Sequence, residues 1–171
     1  LTYHDEVVSR QDEVDRIGAA WQRERADLDV APLQVLSRVS RLARHLDLAR
    51  RQSFAAHSLE SWEFDVLAAL RRCGPPYAMS PGQLGAETLV TSGTMTNRID
   101  RLESRGLVRR EPDPSDRRGV RVLLTDPGRR AVDDAMSDLL AREHELLAAL
   151  TSEQRAELSA LLRILVQQFG D

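Results

Sequence analysis

Residues 89–130 read LVTSGTMTNRIDRLESRGLVRREPDPSDRRGVRVLLTDPGRR, and the order of signals in this run decides the fold. Thr91, Ser92 and Gly93 supply a helix start, after which Met95, Ile99 and Leu102 recur at the spacing of one helical face. The outer face carries Thr94, Thr96, Asn97, Arg98, Arg101 and Arg105, and Gly106 stops a helix of about 92–105. LVRRE then reads as a strand, PDPSDRRG as a hairpin tip of eight residues and VRVLLT as a second strand. Thr125-Asp126-Pro127 opens another helix.

Immediately upstream, SPGQLGAETL places Ser80 as N-cap, Pro81 at the first helical position and Gln83 reaching back. That capping box starts a helix of about two turns. Two short helices joined by a tight turn and followed by a hairpin make a helix-turn-helix with a wing. Further out, Val7, Val14, Ile17 and Trp21 mark a helix over about 5–25 that Gly18 interrupts. Asp29 and Pro32 start a long one over 31–56, with Leu36, Val39, Leu42, Ala43 and Leu46 on its apolar side. A third begins near Ser58, turns Phe64, Leu67 and Leu70 inward and stops at Gly74-Pro75-Pro76.

Downstream, Val132, Met136, Leu139, Leu146 and Leu150 form a stripe, and Thr151 with Gln154 makes another capping box. The last helix is expected to bury Leu158, Leu161, Leu162, Leu165 and Phe169. The fold class is therefore mainly α with a small β-hairpin. A winged helix-turn-helix over 58–125 lies between dimerisation helices at 1–57 and 126–171. The terminal helices carry more apolar surface than a small winged lobe covers, which predicts a two-fold homodimer.

Composition narrows the function. Hydrophobic residues at 42% and charged residues at 30% of 171 fit a folded soluble protein. No apolar run approaches the ~18 residues of a membrane span. The N-terminus has no signal-peptide pattern, and a start at Leu1 is expected to reflect a trimmed native start. A lone cysteine, Cys73, precludes an internal disulfide, so the cytoplasm is the expected compartment. The net charge of −3 disguises an asymmetry. Residues 77–130 hold ten arginines against seven acids, so the basic excess sits in the central segment between acidic arms.

Catalysis is not expected. His4, His45, His57 and His144 are scattered, no nucleophile–base spacing is present, and neither a metal site nor a cofactor is implied. Double-stranded DNA is the partner the central segment fits. The major groove admits one helix, and its base edges offer acceptors to arginine and both hydrogen-bond types to asparagine. Ser80, Ser92 and Thr94 suit phosphate oxygens near helix starts, while Thr96, Asn97, Arg98 and Arg101 lie further along the solvent face. The wing carries Asp116, Arg117 and Arg118, and a hairpin there would reach the minor groove, whose negative potential attracts arginine. Arg118 is the expected inserted side chain, with Asp116 pairing its guanidinium. Arg117 and Arg121 are expected to meet phosphate or nearby acids.

The run 89–130 resembles the MarR family of winged-helix regulators, through RLESRGLVRR, Asp116-Arg117-Arg118 and Leu124-Thr125-Asp126-Pro127-Gly128. The resemblance implies a homodimer with interleaved terminal helices. It also implies a palindromic operator and a repressor released by a small molecule, with Asp116 and Arg118 at the minor groove. A narrower likeness is to the urate-responsive branch, with regulators of the PecS, HucR and TamR type. Trp21, Asp65, Arg72 and Arg98 match the tryptophan, aspartate and two arginines that line a ligand cleft there, implying a small anionic effector. The same residues also read as dimer core (Trp21), ion pairs on one helix face (Asp65, Arg72) and DNA contact alone (Arg98). Two other readings stay open at this point. One is a redox-sensing regulator acting through Cys73 beside Arg71 and Arg72, the other a winged helix that binds protein.

Overall fold

The computed structural model describes residues 11–170, apart from the side chain of Arg117. The expected helix start near residue 5, with Val7, lies outside the described residues, as does His4. The chain divides after Leu48 into two compact units.

In the first unit, α1 (Glu13–Glu24) begins at Asp12, whose Oδ1 accepts the N–H groups of Val14 at 2.7 Å and Asp15 at 3.1 Å. The Asp15 carboxylate returns the bond, accepting the Asp12 N–H at 2.9 Å, so two orphan donors are satisfied reciprocally. Arg38 of α2 (Ala31–Ala56) donates to Asp12 at 2.8 Å and Asp15 at 2.9 Å. Its hydrogen bond holds the Asp12 carboxyl below the usual carboxylate range. Gly18 does not interrupt α1. It is buried, and a Cβ there would lie 2.9 Å from Gln34 Nε2, so its bare backbone admits the neighbouring helix. The α2 helix starts where Asp29 Oδ1 accepts the Ala31 N–H at 2.9 Å and keeps its expected bounds.

The second unit opens with the end of α2, and α3 (Ser61–Arg72) follows, three residues later than expected, because Ser58 turns left-handed (φ 57°) and Glu60 becomes the N-cap. Then come β1 (Ala78–Met79), α4 (Pro81–Glu87), α5 (Ser92–Ser104), β2 (Val108–Asp113) and β3 (Asp116–Leu124). The helices α6 (Asp126–Leu147) and α7 (Ser152–Val166) follow, with a 3₁₀ turn at Gln167–Phe169. The sheet is antiparallel in the order β1-β3-β2. Both expected capping boxes form: Gln83 with Ser80, and Gln154 with Thr151.

The core of this unit gathers apolar faces from every element of the winged lobe. Leu67 and Leu70 of α3, Leu84 of α4, and Met95, Ile99 and Leu102 of α5 are all fully buried. Each such side chain contributes roughly 1.5–3 kcal/mol relative to leaving it in water. Phe54 stacks on Phe64 with ring centroids 4.0 Å apart. Val132, Ala135 and Leu139 bring α6 into the same cluster.

Two expectations need correction. The last helix buries none of its side chains within the chain: Leu161 is 55% exposed and Phe169 88%. Met136 and Leu146 of the preceding stripe are also exposed. The hairpin tip is not eight residues either. Strand pairing runs out to Asp113↔Asp116, leaving only residues 114–115 as the turn, and β3 inserts residues 117–119 between that pair and Pro112↔Val120. A Cβ on Gly119 would stand 3.0 Å from Asp113 Cβ and 3.1 Å from Asp116 Cβ, so the bulge closes most easily on glycine.

Candidate nucleic-acid interface

The recognition helix α5 starts where Thr91 Oγ1 accepts the Thr94 N–H at 3.4 Å. At 100° per residue, Gly93, Asn97 and Ser104 lie opposite the buried stripe of Met95, Ile99 and Leu102. Asn97 is exposed, with donor and acceptor both available to a base edge. Thr96 is exposed, and its hydroxyl donates to Ser92 O at 3.0 Å. Ser92 and Thr94 are exposed at the helix start. Ser80 Oγ accepts the Gln83 N–H at 3.2 Å, leaving its own proton for an outside acceptor.

The arginines do not occupy the centre of this face. Arg98, Arg101 and Arg105 lie on its flank and are engaged by the start of α3. Arg101 donates to Glu60 Oε1 at 2.5 Å, and its Cζ is 4.7 Å from the centroid of the Trp62 ring. The Arg98 Cζ lies 5.4 Å from the same centroid. Arg105 donates to Glu63 Oε2 at 2.5 Å and to Ser58 O at 2.7 Å. Donation from the Trp62 indole and from Arg101 holds the Glu60 carboxyl below its usual range. Sequence reasoning missed Glu60, Trp62 and Glu63. The available signal was the capping pair Glu60 and Glu63 around a tryptophan, in register with arginines three and four apart on another helix.

On the other flank, Arg110 ties α5 to β2. Its backbone N–H donates to Glu103 Oε1 at 2.8 Å, its Nη1 to Glu103 Oε2, and its Nη2 to Asp100 at 2.5 Å. On the wing, Arg109 and Arg121 share Glu111 at 2.8 Å and 3.3 Å, so Arg121 is paired with an acid. Asp116 does not pair the Arg118 guanidinium. Its Oδ1 accepts the Arg118 backbone N–H at 2.9 Å, an Asx turn that shapes the bulge and leaves the exposed guanidinium outside it. The neighbouring Asp113 carboxyl is held below its usual range by bonds from Ser115.

The four residues matched to a ligand cleft are not joined to one another by any described hydrogen bond or ion pair. Asp65 is exposed on α3, and Arg98 lies against Trp62. Arg72 is exposed 3.6 Å from Glu87 and lines a cavity of about 270 Å³ with Phe64, Ala68, Val132 and Leu139, the cations Arg50 and Arg71, and the acids Asp133 and Glu143, Asp133 being paired with Arg71 at 2.8 Å. Trp21 is exposed in the first unit beside Ile17 and Ala20. Cys73 is exposed, with its Sγ donating to Leu70 O at 3.0 Å. Among the described residues no group of three or more His, Cys, Asp and Glu is placed to hold a metal ion, and no helix is long and apolar enough to cross a membrane.

A capped two-turn helix, a polar-faced second helix and an arginine-bearing hairpin define a winged helix-turn-helix of the DNA-binding type. The MarR family model matches residues 57–119. The transcriptional regulator PecS of Dickeya dadantii (strain 3937) is 39% identical over 155 residues, covering 91% of this chain and 93% of that protein. The transcriptional repressor NicR of Pseudomonas putida (strain KT2440) is 35% identical over 147 residues, covering 82% of this chain and 90% of that protein. A cysteine-substituted MarR from Escherichia coli, solved in complex with operator DNA, superposes with a TM-score of 0.62 at 28% identity, covering 80% of this chain and 94% of that one. The chain belongs to the MarR family and is a DNA-binding transcriptional regulator, not an enzyme.

Proposed function

We propose that the chain acts in the cytoplasm as a homodimeric repressor on a palindromic operator and is released by a small anionic effector such as urate. The observation that carries this reading is a polar-faced recognition helix with an arginine-bearing wing in a chain whose α6 and α7 expose apolar side chains among the described residues. A second copy covers those side chains and sets two recognition helices to enter successive major grooves, about 34–36 Å apart. Ser80, Ser92 and Thr94 meet phosphate. Thr96, Asn97 and Arg101 face the groove and its edge, and Arg98 stands beside them. Asp116, Arg117 and Arg118 form the minor-groove element. The match to a relative named as a repressor supports the sign of regulation. Trp21, Asp65, Arg72 and Arg98 are the effector residues in this reading, and the arginines beside the cavity at Arg72 suit a planar anion.

A gel-shift titration on duplexes enriched from a random pool tests the reading, with the mass of the complex measured alongside. Arg118→Ala is expected to lose ~1–3 kcal/mol of operator binding with the two-chain mass intact. An unchanged affinity removes Arg118 from the interface. Urate added to the same titration is expected to release the duplex, and Arg72→Ala to blunt that release. No response to urate, xanthine, citrate or salicylate would end the effector assignment.

A further inference from the structure

We propose that Trp62 is a positioning residue for operator binding, its indole a shelf that sets Arg98 and Arg101 side by side as a receptor for one DNA backbone phosphate. The inference rests on the operator-binding reading above.

Both guanidinium carbons lie within 5.4 Å of one ring centroid, close enough for each cation to feel the negative face of the indole. The two arginines are three residues apart on α5, so a single flank of the recognition helix delivers both. The shelf is itself fixed: Trp62 Nε1 donates to Glu60 Oε2 at 2.7 Å, while the other oxygen of that carboxylate takes Arg101 Nη2. One carboxylate therefore orients both the ring and one guanidinium.

The charge does not balance within the cluster. Two guanidiniums face one paired carboxylate, and Arg98 has no described hydrogen bond or ion pair with a carboxylate. Each guanidinium has five donors, of which Arg101 gives one to Glu60. The Arg101 side chain is 59% exposed, so its remaining donors are open to a partner from outside. Two cations held near each other repel, and a phosphate oxygen relieves that repulsion while accepting from both.

Arg105 shows what a purely structural arginine looks like in the same row. Each of its Nη atoms already donates within the chain, to Glu63 and to Ser58 O, so two of its five donors are engaged against one in Arg101. Arg98 and Arg101 are oriented but unspent. A stacked guanidinium has already lost much of its rotamer freedom, so little further ordering is needed when DNA arrives. The flank they occupy adjoins Asn97, which places the phosphate at the edge of the groove that Asn97 enters.

The test compares side chains of similar bulk with and without a π face. Wild type, Trp62→Phe, Trp62→Leu, Arg101→Ala and the Trp62→Leu/Arg101→Ala pair are titrated by fluorescence anisotropy on a labelled duplex enriched from a random pool by the wild type. Trp62→Phe is expected to bind within about threefold of wild type, and Trp62→Leu about tenfold more weakly. The double variant is expected to bind more weakly than Arg101→Ala, since Arg98 also loses its shelf, but by clearly less than the product of the two single effects. Equal affinities for the phenylalanine and leucine variants, or effects that multiply in the double variant, overturn the shelf. Melting temperature and two-chain mass are measured for each, and Trp62→Met repeats the comparison if leucine lowers the melting temperature. Failure of the wild type to enrich any duplex would instead bring down the operator reading, and this inference with it.

Discussion

Gly128→Ala is expected to lower folding stability by about 4 kcal/mol, at the upper end of what a single substitution does. A Cβ at Gly128 would stand 2.0 Å from Leu107 O, 2.9 Å from Leu107 C and 3.0 Å from Leu124 Cδ1. The first two atoms are backbone and cannot swing aside. Thr125 fastens the same corner, its hydroxyl contacting Gly106 O at 2.7 Å and Leu107 O at 2.9 Å while accepting the Gly128 N–H at 3.1 Å. An added methyl must therefore push the start of α6 off the loop that ends the recognition helix. Urea unfolding at fixed protomer concentration checks this, with Gly93→Ala as the control. Nothing lies within 4 Å of a Cβ at Gly93, so the control should lose no stability. A Gly128→Ala midpoint equal to wild type would show that the corner yields.

Arg105→Ala is expected to cost about 3 kcal/mol. Glu63 is 1% exposed, and Arg105 is its cationic partner at 2.5 Å. Removing one member of a buried pair leaves the other charge without compensation, typically 3–5 kcal/mol. Arg105 is itself 38% exposed, so water entering its place moves the value to the lower end. Glu63→Gln in the Arg105→Ala background should recover most of the loss, since the amide oxygen still accepts the Glu60 N–H without a charge. If the double variant is no more stable than Arg105→Ala, the buried charge is not the cause.

Local chemistry was legible in the sequence. The boxes at Ser80 and Thr151, the bounds of α2 and the N-cap of α6 all depend on residues within four positions of one another, and all form. What escaped depends on distant partners. The two residues of β1 are a strand only because Leu123 and Val122 lie alongside. The bulge at 117–119 arises from pairing that extends beyond Pro112, where proline suggested a turn. Arg98, Arg101 and Arg105 looked solvent-facing because helical periodicity locates a flank but cannot say that the start of another helix stands beside it. The apolar face of α7 was recognised from periodicity, which marks a face without saying what lies against it, and among the described residues that face is exposed.

The double tether of Arg110 to Asp100 and Glu103 has a geometric consequence. It crosses from the recognition helix to the strand that carries the hairpin, so a displacement of either one strains the bonds that hold the other. On the operator-binding reading, that link resists any change in the span from recognition helix to wing tip. In the operator-bound dimer proposed above, adaptation to a different operator length would fall to the DNA, through its twist and groove width, or to the angle between the two copies.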